Sequence, residues 1–285
     1  MQSLWKASLS GQDAPAKSPV AGDVVARLRT KIAAIEKRPM LAGQAGEVQP
    51  AASGGLLAAA PGLLHEVFTD EPRYRGALLG FALAQGRGLL NAGRPALFYL
   101  QLAHEAHDSG LPYGAGLKSF GIDPEALVIV RVASMIELLW AMEEAICCRA
   151  VAGVIADVGG RHKELDFTAS RRLSLRTAAT GTSAFLLRYD REREASAAKL
   201  RWRVVPELSA SPRSDPRAPG GPRWRVVLEK GRLGKSAEGE EFLVDWTENG
   251  FVLVDPGRSK AAPAAGAPLS GALPATLGYR LSEAS

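Results

Sequence analysis

The residues that invite a chemical reading stand where short apolar runs end. Leu63-Leu64-His65-Glu66-Val67-Phe68 reads as a strand, and Tyr74 to Leu90 as an Ala/Leu-rich helix. Between them Thr69-Asp70-Glu71-Pro72-Arg73-Tyr74-Arg75-Gly76 holds the position where a nucleotide-binding βα unit carries its phosphate loop. That loop needs glycines whose backbone N–H groups close around phosphate, then Lys and Ser or Thr for the terminal phosphate and magnesium. Here two carboxylates repel phosphate and Pro72 removes a donor. The segment therefore predicts the position without the chemistry: no catalytic residue and no bound cofactor.

Other candidates are read the same way. Asp157 closes Val154-Ile155-Ala156, a place where such folds put a magnesium-associated acid; without a phosphate loop it is expected to cap or pair with a neighbour. His104-Glu105-Ala106-His107-Asp108 follows the run 96–102, and two histidines near carboxylates are possible metal ligands. The zincin pattern needs one more residue between the histidines, and no distant third ligand suggests itself, so an exposed loop and no metal are expected. Gly231-Arg232-Leu233-Gly234-Lys235-Ser236 ends like a phosphate loop, but Glu229 stands where its first glycine belongs, and a hairpin turn is expected. No Gly-x-Ser-x-Gly elbow supports serine hydrolase chemistry. Glu143-Glu144 reads as a solvated helix surface, and Cys147-Cys148 as small buried residues.

The pentapeptide Arg-Trp-Arg-Val-Val occurs at 201–205 and again at 223–227. Strand side chains alternate between faces, so Arg201, Arg203 and Val205 share one side while Trp202 and Val204 take the other. The same division separates Arg223 and Arg225 from Trp224 and Val226. The tryptophans are expected in the core, and the arginines on a solvated basic face open to an anion or a partner.

Strand-like runs appear at 63–68, 96–102, 126–132, 151–157 and 183–188. Helical patterns lie between them at 74–90, 134–149 and 166–180, with a shorter one near 113–120. Ser134-Met135-Ile136-Glu137 is a capping box, and Gly181 a helix stop. Continuous apolar strands separated by helices predict an α/β fold with a mostly parallel sheet covered on both faces. After Arg188 strands at 199–205, 223–229, 241–247 and 250–255 follow without helices, and Asn249-Gly250 marks a hairpin. They are expected to be antiparallel, extending the sheet or adding a small layer.

Residues 188–235 hold 13 Arg or Lys against 6 Asp or Glu, whereas the remainder holds 22 against 24. The excess is thus a local basic segment, which can attract polyanions or an acidic partner. The expected organisation is a disordered tail (1–22), an N-terminal helix (23–38), a linker (39–62), a core with a C-terminal β-extension (63–258) and a flexible tail (259–285). The helix has Val24, Leu28, Ile32 and Ile35 at helical spacing and stops at Pro39, which suits self-association or partner docking. Two cysteines make no disulfide framework, and no apolar run reaches membrane-spanning length, so a cytoplasmic protein is expected.

The ground plan and several phrases resemble the RecA-like ImuA family, accessory factors of bacterial damage-induced mutagenesis. The phrases are Leu63-Leu64-His65-Glu66-Val67, Ala141-Met142-Glu143-Glu144, Leu165-Asp166-Phe167-Thr168-Ala169-Ser170-Arg171-Arg172-Leu173, Ala184-Phe185-Leu186-Leu187-Arg188 and the paired Arg-Trp-Arg-Val-Val strands. The resemblance implies a RecA-like core and a role in SOS-induced translesion synthesis and DNA repair. It implies as partners an ImuB-like Y-family polymerase homologue and an error-prone polymerase subunit. With the phosphate loop absent, the expected function is a non-catalytic RecA-like adaptor with weak DNA binding. Arg188, Arg191, Arg193, Lys199, Arg201, Arg203, Arg223 and Arg225 are the expected DNA-binding residues. The alternatives are a DNA-dependent ATPase with an unconventional nucleotide site and a SulA-type cell-division inhibitor.

Overall fold

A computed structural model of the chain describes Leu57 and residues 59–254, apart from 190, 213, 214, 216 and 234–237. The expected tails, the helix 23–38 and most of the linker 39–62 lie outside the described residues.

Among the described residues nine strands form one sheet: β1 (Leu64–Phe68), β2 (Ala96–Leu102), β3 (Leu127–Val132), β4 (Val151–Val158), β5 (Ser183–Arg188), β6 (Leu200–Glu207), β7 (Arg223–Lys230), β8 (Glu241–Thr247) and β9 (Gly250–Leu253). Their order is β3-β2-β4-β5-β1-β6-β7-β8-β9. The first six positions are parallel, and β7, β8 and β9 add antiparallel neighbours. The fold is α/β with a mostly parallel sheet, and the C-terminal strands extend that same sheet.

Between the strands run α1 (Arg75–Arg87), α2 (Ala103–Ser109), α3 (Gly114–Ser119), α4 (Met135–Cys147) and α5 (Phe167–Thr180). Each long helix begins or ends where its sequence says it should. The Ser134 hydroxyl accepts from Glu137 N at 3.3 Å, while the Glu137 carboxylate accepts from Ala133 N at 2.9 Å. Asp166 caps α5 through Ala169 N at 2.7 Å, and Gly181 ends it at φ +75°. The His104–Asp108 segment departs from expectation by forming the short helix α2 instead of a loop. The cysteines also depart from it: both are exposed, because the buried stripe of α4 ends at Ala145 and Ile146. Arg176 of α5 reaches Cys147 Sγ at 3.3 Å.

Two cores flank the sheet. One holds Phe81 of α1 with Trp202, Trp224 and Phe185; the other packs Met135, Leu138 and Met142 of α4 and Leu173 of α5 on Leu100, Val154 and Leu186. Strand alternation places Trp202 and Trp224 in the core, as their spacing requires. Phe81 meets both indoles edge-on, with ring centroids 6.0 and 6.1 Å away.

Candidate functional site

In open α/β sheets, ligands gather in the crevice outside the carboxyl ends of the strands. At that edge β1 leads through Thr69 and a 3-10 turn at Pro72–Tyr74 into α1. Thr69 N bonds to Arg188 O of β5 at 3.1 Å, so the backbone here is tied to the neighbouring strand instead of opening toward solvent. An open cleft of about 610 Å³ lies over the turn, lined by Thr69, Asp70, Glu71, Tyr74, Arg191 and Val205. Its walls carry two carboxylates against one cation, Arg191, a balance that does not favour phosphate.

Behind the turn a side-chain cluster fills the crevice. Asp157, at the end of β4, is buried and accepts from Tyr99 OH at 2.6 Å and Tyr189 OH at 2.5 Å. The first residue of α1, Arg75, points into the same space: its Nε lies 3.7 Å from Asp157 Oδ1 and its Nη2 3.3 Å from Glu105 Oε2. Its guanidinium also sits 4.6 Å above the Tyr189 ring. Glu105 Oε2 accepts in turn from Gly159 N at 3.1 Å. A Cβ at 159 would stand 2.8 Å from Glu105 Oε1 and 3.0 Å from Arg75 Nη2, so glycine is what lets β4's exit approach this closely.

The charges of the cluster are locked. Burial opposes the Arg75 cation, but Asp157, Tyr189 and Glu105 together outweigh it and raise its pKa above the ordinary guanidinium value. Burial, then the adjacent Asp157 charge and its hydrogen bond, push both tyrosine hydroxyls well above the usual phenol range. Chemically, then, the crevice holds a carboxylate whose oxygens are occupied by protein donors and a cation that protein carboxylates already neutralise. Asp157 pairs with neighbours, as its sequence position suggested. Arg75, Tyr99 and Tyr189 were not singled out by the sequence, and Glu105 only loosely. The cluster draws its members from five separate segments, so no local spacing signals it. Histidine 104 lies beside Glu105 but no group of three or more His, Cys, Asp or Glu is placed to hold a metal among the described residues.

The basic segment lies on the neighbouring strands. Arg201 and Arg203 of β6 and Arg223 and Arg225 of β7 do share one sheet face, but that face is a ladder of ion pairs and not an open basic surface. Arg201 donates to Glu66 from Nε at 3.0 Å and from Nη2 at 2.8 Å, and its side chain is only 12% exposed. Arg203 lies 3.5 Å from Glu229, Arg223 is bidentate on Asp245, and Arg225 bridges Glu207 at 2.7 Å and Glu241 at 2.8 Å. At the edge Arg193 bridges Asp70 and Glu229, each at 2.9 Å, and buried Arg188 reaches Glu194 at 3.2 Å. Arg188, Arg193 and Arg201 all lie against the Phe68 ring, with centroid distances of 5.8, 4.4 and 5.3 Å. Arg191, 79% exposed, comes within 3.8 Å of Glu71, and Lys199 is exposed. The expected solvated arginine face is thus corrected at Arg201 and at Arg223, whose side chain is 10% exposed, and the tally of charge along the chain misses the carboxylates that β1 and β8 bring alongside.

Fold and edge together define an α/β protein with a mostly parallel sheet in which a hydrogen-bonded side-chain cluster fills the carboxyl-edge crevice. Over 133 residues the chain is 32% identical to Protein ImuA of Caulobacter vibrioides, in strain NA1000 / CB15N and equally in strain ATCC 19089 / CIP 103742 / CB 15. The alignment takes in 43% of this chain and 52% of the relative, so the chain spans about half the length of the curated relatives it matches. The relationship to ImuA is a distant one, and no family model matches. No helix among the described residues is long and apolar enough to cross a membrane.

Proposed function

We propose that this chain is a non-catalytic adaptor of RecA-like architecture in SOS-induced translesion DNA synthesis, supporting a polymerase-like partner at damaged DNA. The observation that carries the reading is Arg75. The guanidinium enters the crevice from the first turn of the helix that follows β1 and is held there by Asp157, Glu105 and the Tyr189 ring. A nucleotide's phosphates would have to enter a crevice already filled by this side chain and by the Asp157 and Glu105 carboxylates that neutralise it, and Asp70, Glu71 and Pro72 offer no backbone nest to receive them.

The similarity to ImuA supports the pathway, and with it an ImuB-like polymerase homologue and an error-prone polymerase subunit as partners. Contact with DNA is assigned a secondary part, because six of the eight cations read from the sequence are engaged by carboxylates within 3.5 Å. Exposed Arg191 and Lys199 remain to make weak, salt-sensitive phosphate contacts, as expected of non-specific binding. The test is affinity capture of the tagged full chain from cells before and after DNA damage. Damage-dependent recovery of a Y-family-polymerase-like protein is expected. Recovery of a filament-forming GTPase instead, with no polymerase-like protein, would replace the adaptor with a division inhibitor.

A further inference from the structure

The helix α4 buries Met135, Leu138, Leu139, Met142, Ala145 and Ile146, yet it carries a second apolar stripe on the side away from the sheet. Ile136 and Trp140 are each 67% exposed, whereas Trp202, Trp224 and Trp246 are all buried. At 3.6 residues per turn, Ile136, Trp140 and the exposed Cys147 fall within about 40° of one another and form one ridge roughly 16 Å long. Tryptophan is among the residue types that most often anchor protein interfaces, and a narrow ridge on a helix packs naturally against a second helix.

The charges beside the ridge divide by sign. On one flank Glu137 and Glu144 are exposed and make no ion pair among the described residues; the Glu137 carboxylate accepts from Ala133 N at 2.9 Å. On the other flank α5 brings Arg172 and Arg176 to Glu143, at 3.0 and 2.9 Å. One carboxylate there faces two guanidinium groups, whose side chains stay 58% and 42% exposed, so that flank is net positive.

We propose that this face joins two copies of the chain about a two-fold axis parallel to α4. Under that symmetry each ridge residue meets its own counterpart, so Trp140 of one copy packs on Trp140 of the other. The acidic flank of each copy then lies along the basic flank of its mate, and the match is made twice. The antiparallel two-fold arrangement sets Glu against Glu and Arg against Arg, which the division of sign disfavours. The association uses neither the Arg75 crevice nor the arginine strands, so it goes beyond the adaptor reading and stands apart from it.

The test is sedimentation equilibrium of the full chain over a concentration series. A monomer–dimer equilibrium with a dissociation constant on the order of 10 µM is expected, the weak range that suits a small interface. Trp140→Asp is expected to weaken association at least tenfold while unfolding at the same temperature as the dilute wild type, because the ring lies largely outside the core. Glu144→Arg and Arg172→Glu are each expected to weaken it, and an equimolar mixture of the two to associate like the wild type, since each supplies the sign the other lacks. A short bismaleimide is expected to link Cys147 to Cys147 in the wild type and not in Trp140→Asp. A wild type that stays monomeric at millimolar concentration overturns the proposal and leaves the ridge to a different protein, and association unchanged in Trp140→Asp overturns it too. Charge variants that associate like the wild type, a mixture of them that stays weak, or the lack of a Cys147 link overturns the parallel two-fold arrangement.

Discussion

Arg201→Ala is expected to cost about 3–5 kcal/mol of stability, the range for breaking a buried ion pair by removing one partner. The Glu66 side chain is 3% exposed and receives Arg201 twice, together with Ser196 Oγ at 2.7 Å. Without the guanidinium the carboxylate stays buried with one neutral donor, Ser196 Oγ, and with the Lys230 charge near but not in ion-pair contact. In a domain of this size that loss lowers the unfolding temperature by on the order of 10 °C. Denaturant unfolding measures it, and adding Glu66→Gln to Arg201→Ala should restore a good part of the loss, since the stranded charge is removed with its partner. A loss under about 1 kcal/mol, as for an exposed pair, would show that the arginine face is solvated after all. Arg225→Ala is the internal comparison: it contacts two carboxylates but is 47% exposed, so its removal should fall in that smaller range.

Asp157→Asn is expected to cost about 3 kcal/mol, from hydrogen bonds to a charged acceptor and the partner charge of Arg75. An asparagine keeps the shape but can accept from only one of the two tyrosine hydroxyls, and it leaves Arg75 facing Glu105 alone. The sign of the effect carries more than its size. Carboxylates kept for catalysis are often held in places that disfavour them, and neutralising one leaves stability unchanged or improved. A carboxylate that holds a structure together behaves oppositely. Denaturant unfolding of Asp157→Asn at neutral pH separates the two, and unchanged or raised stability would contradict a structural role for Asp157.

The fold was largely legible because its signals are local. Continuous apolar runs, the Ser134 and Asp166 caps, the Gly181 stop and the Asn249-Gly250 hairpin each act within a few residues, and period-two alternation sorts Trp202 from Arg201 without any knowledge of neighbours. The failures share the opposite property. The Arg75 cluster is assembled from the first residue of α1, the middle of β2, α2, the end of β4 and the residue after β5, which only the crossover topology brings together. Arg201 looked solvated because its partner, Glu66, is 135 residues away along the chain and adjacent only through the parallel β1–β6 pairing. The absence of a phosphate loop at 69–76 was readable from residue types; that Arg75 reaches back into the crevice was not, since nothing in the sequence gives the direction of one side chain.

The most direct test of the central claim is ATP turnover by the purified full chain with magnesium, measured in the presence and absence of single-stranded DNA. The Arg75 cluster and the unreceptive turn at Asp70–Pro72 predict no turnover above background in either condition, and none gained when Arg75→Ala empties the crevice of its cation. Turnover that DNA stimulates and that Asp157→Asn abolishes would contradict the account and establish an ATPase with an unconventional site.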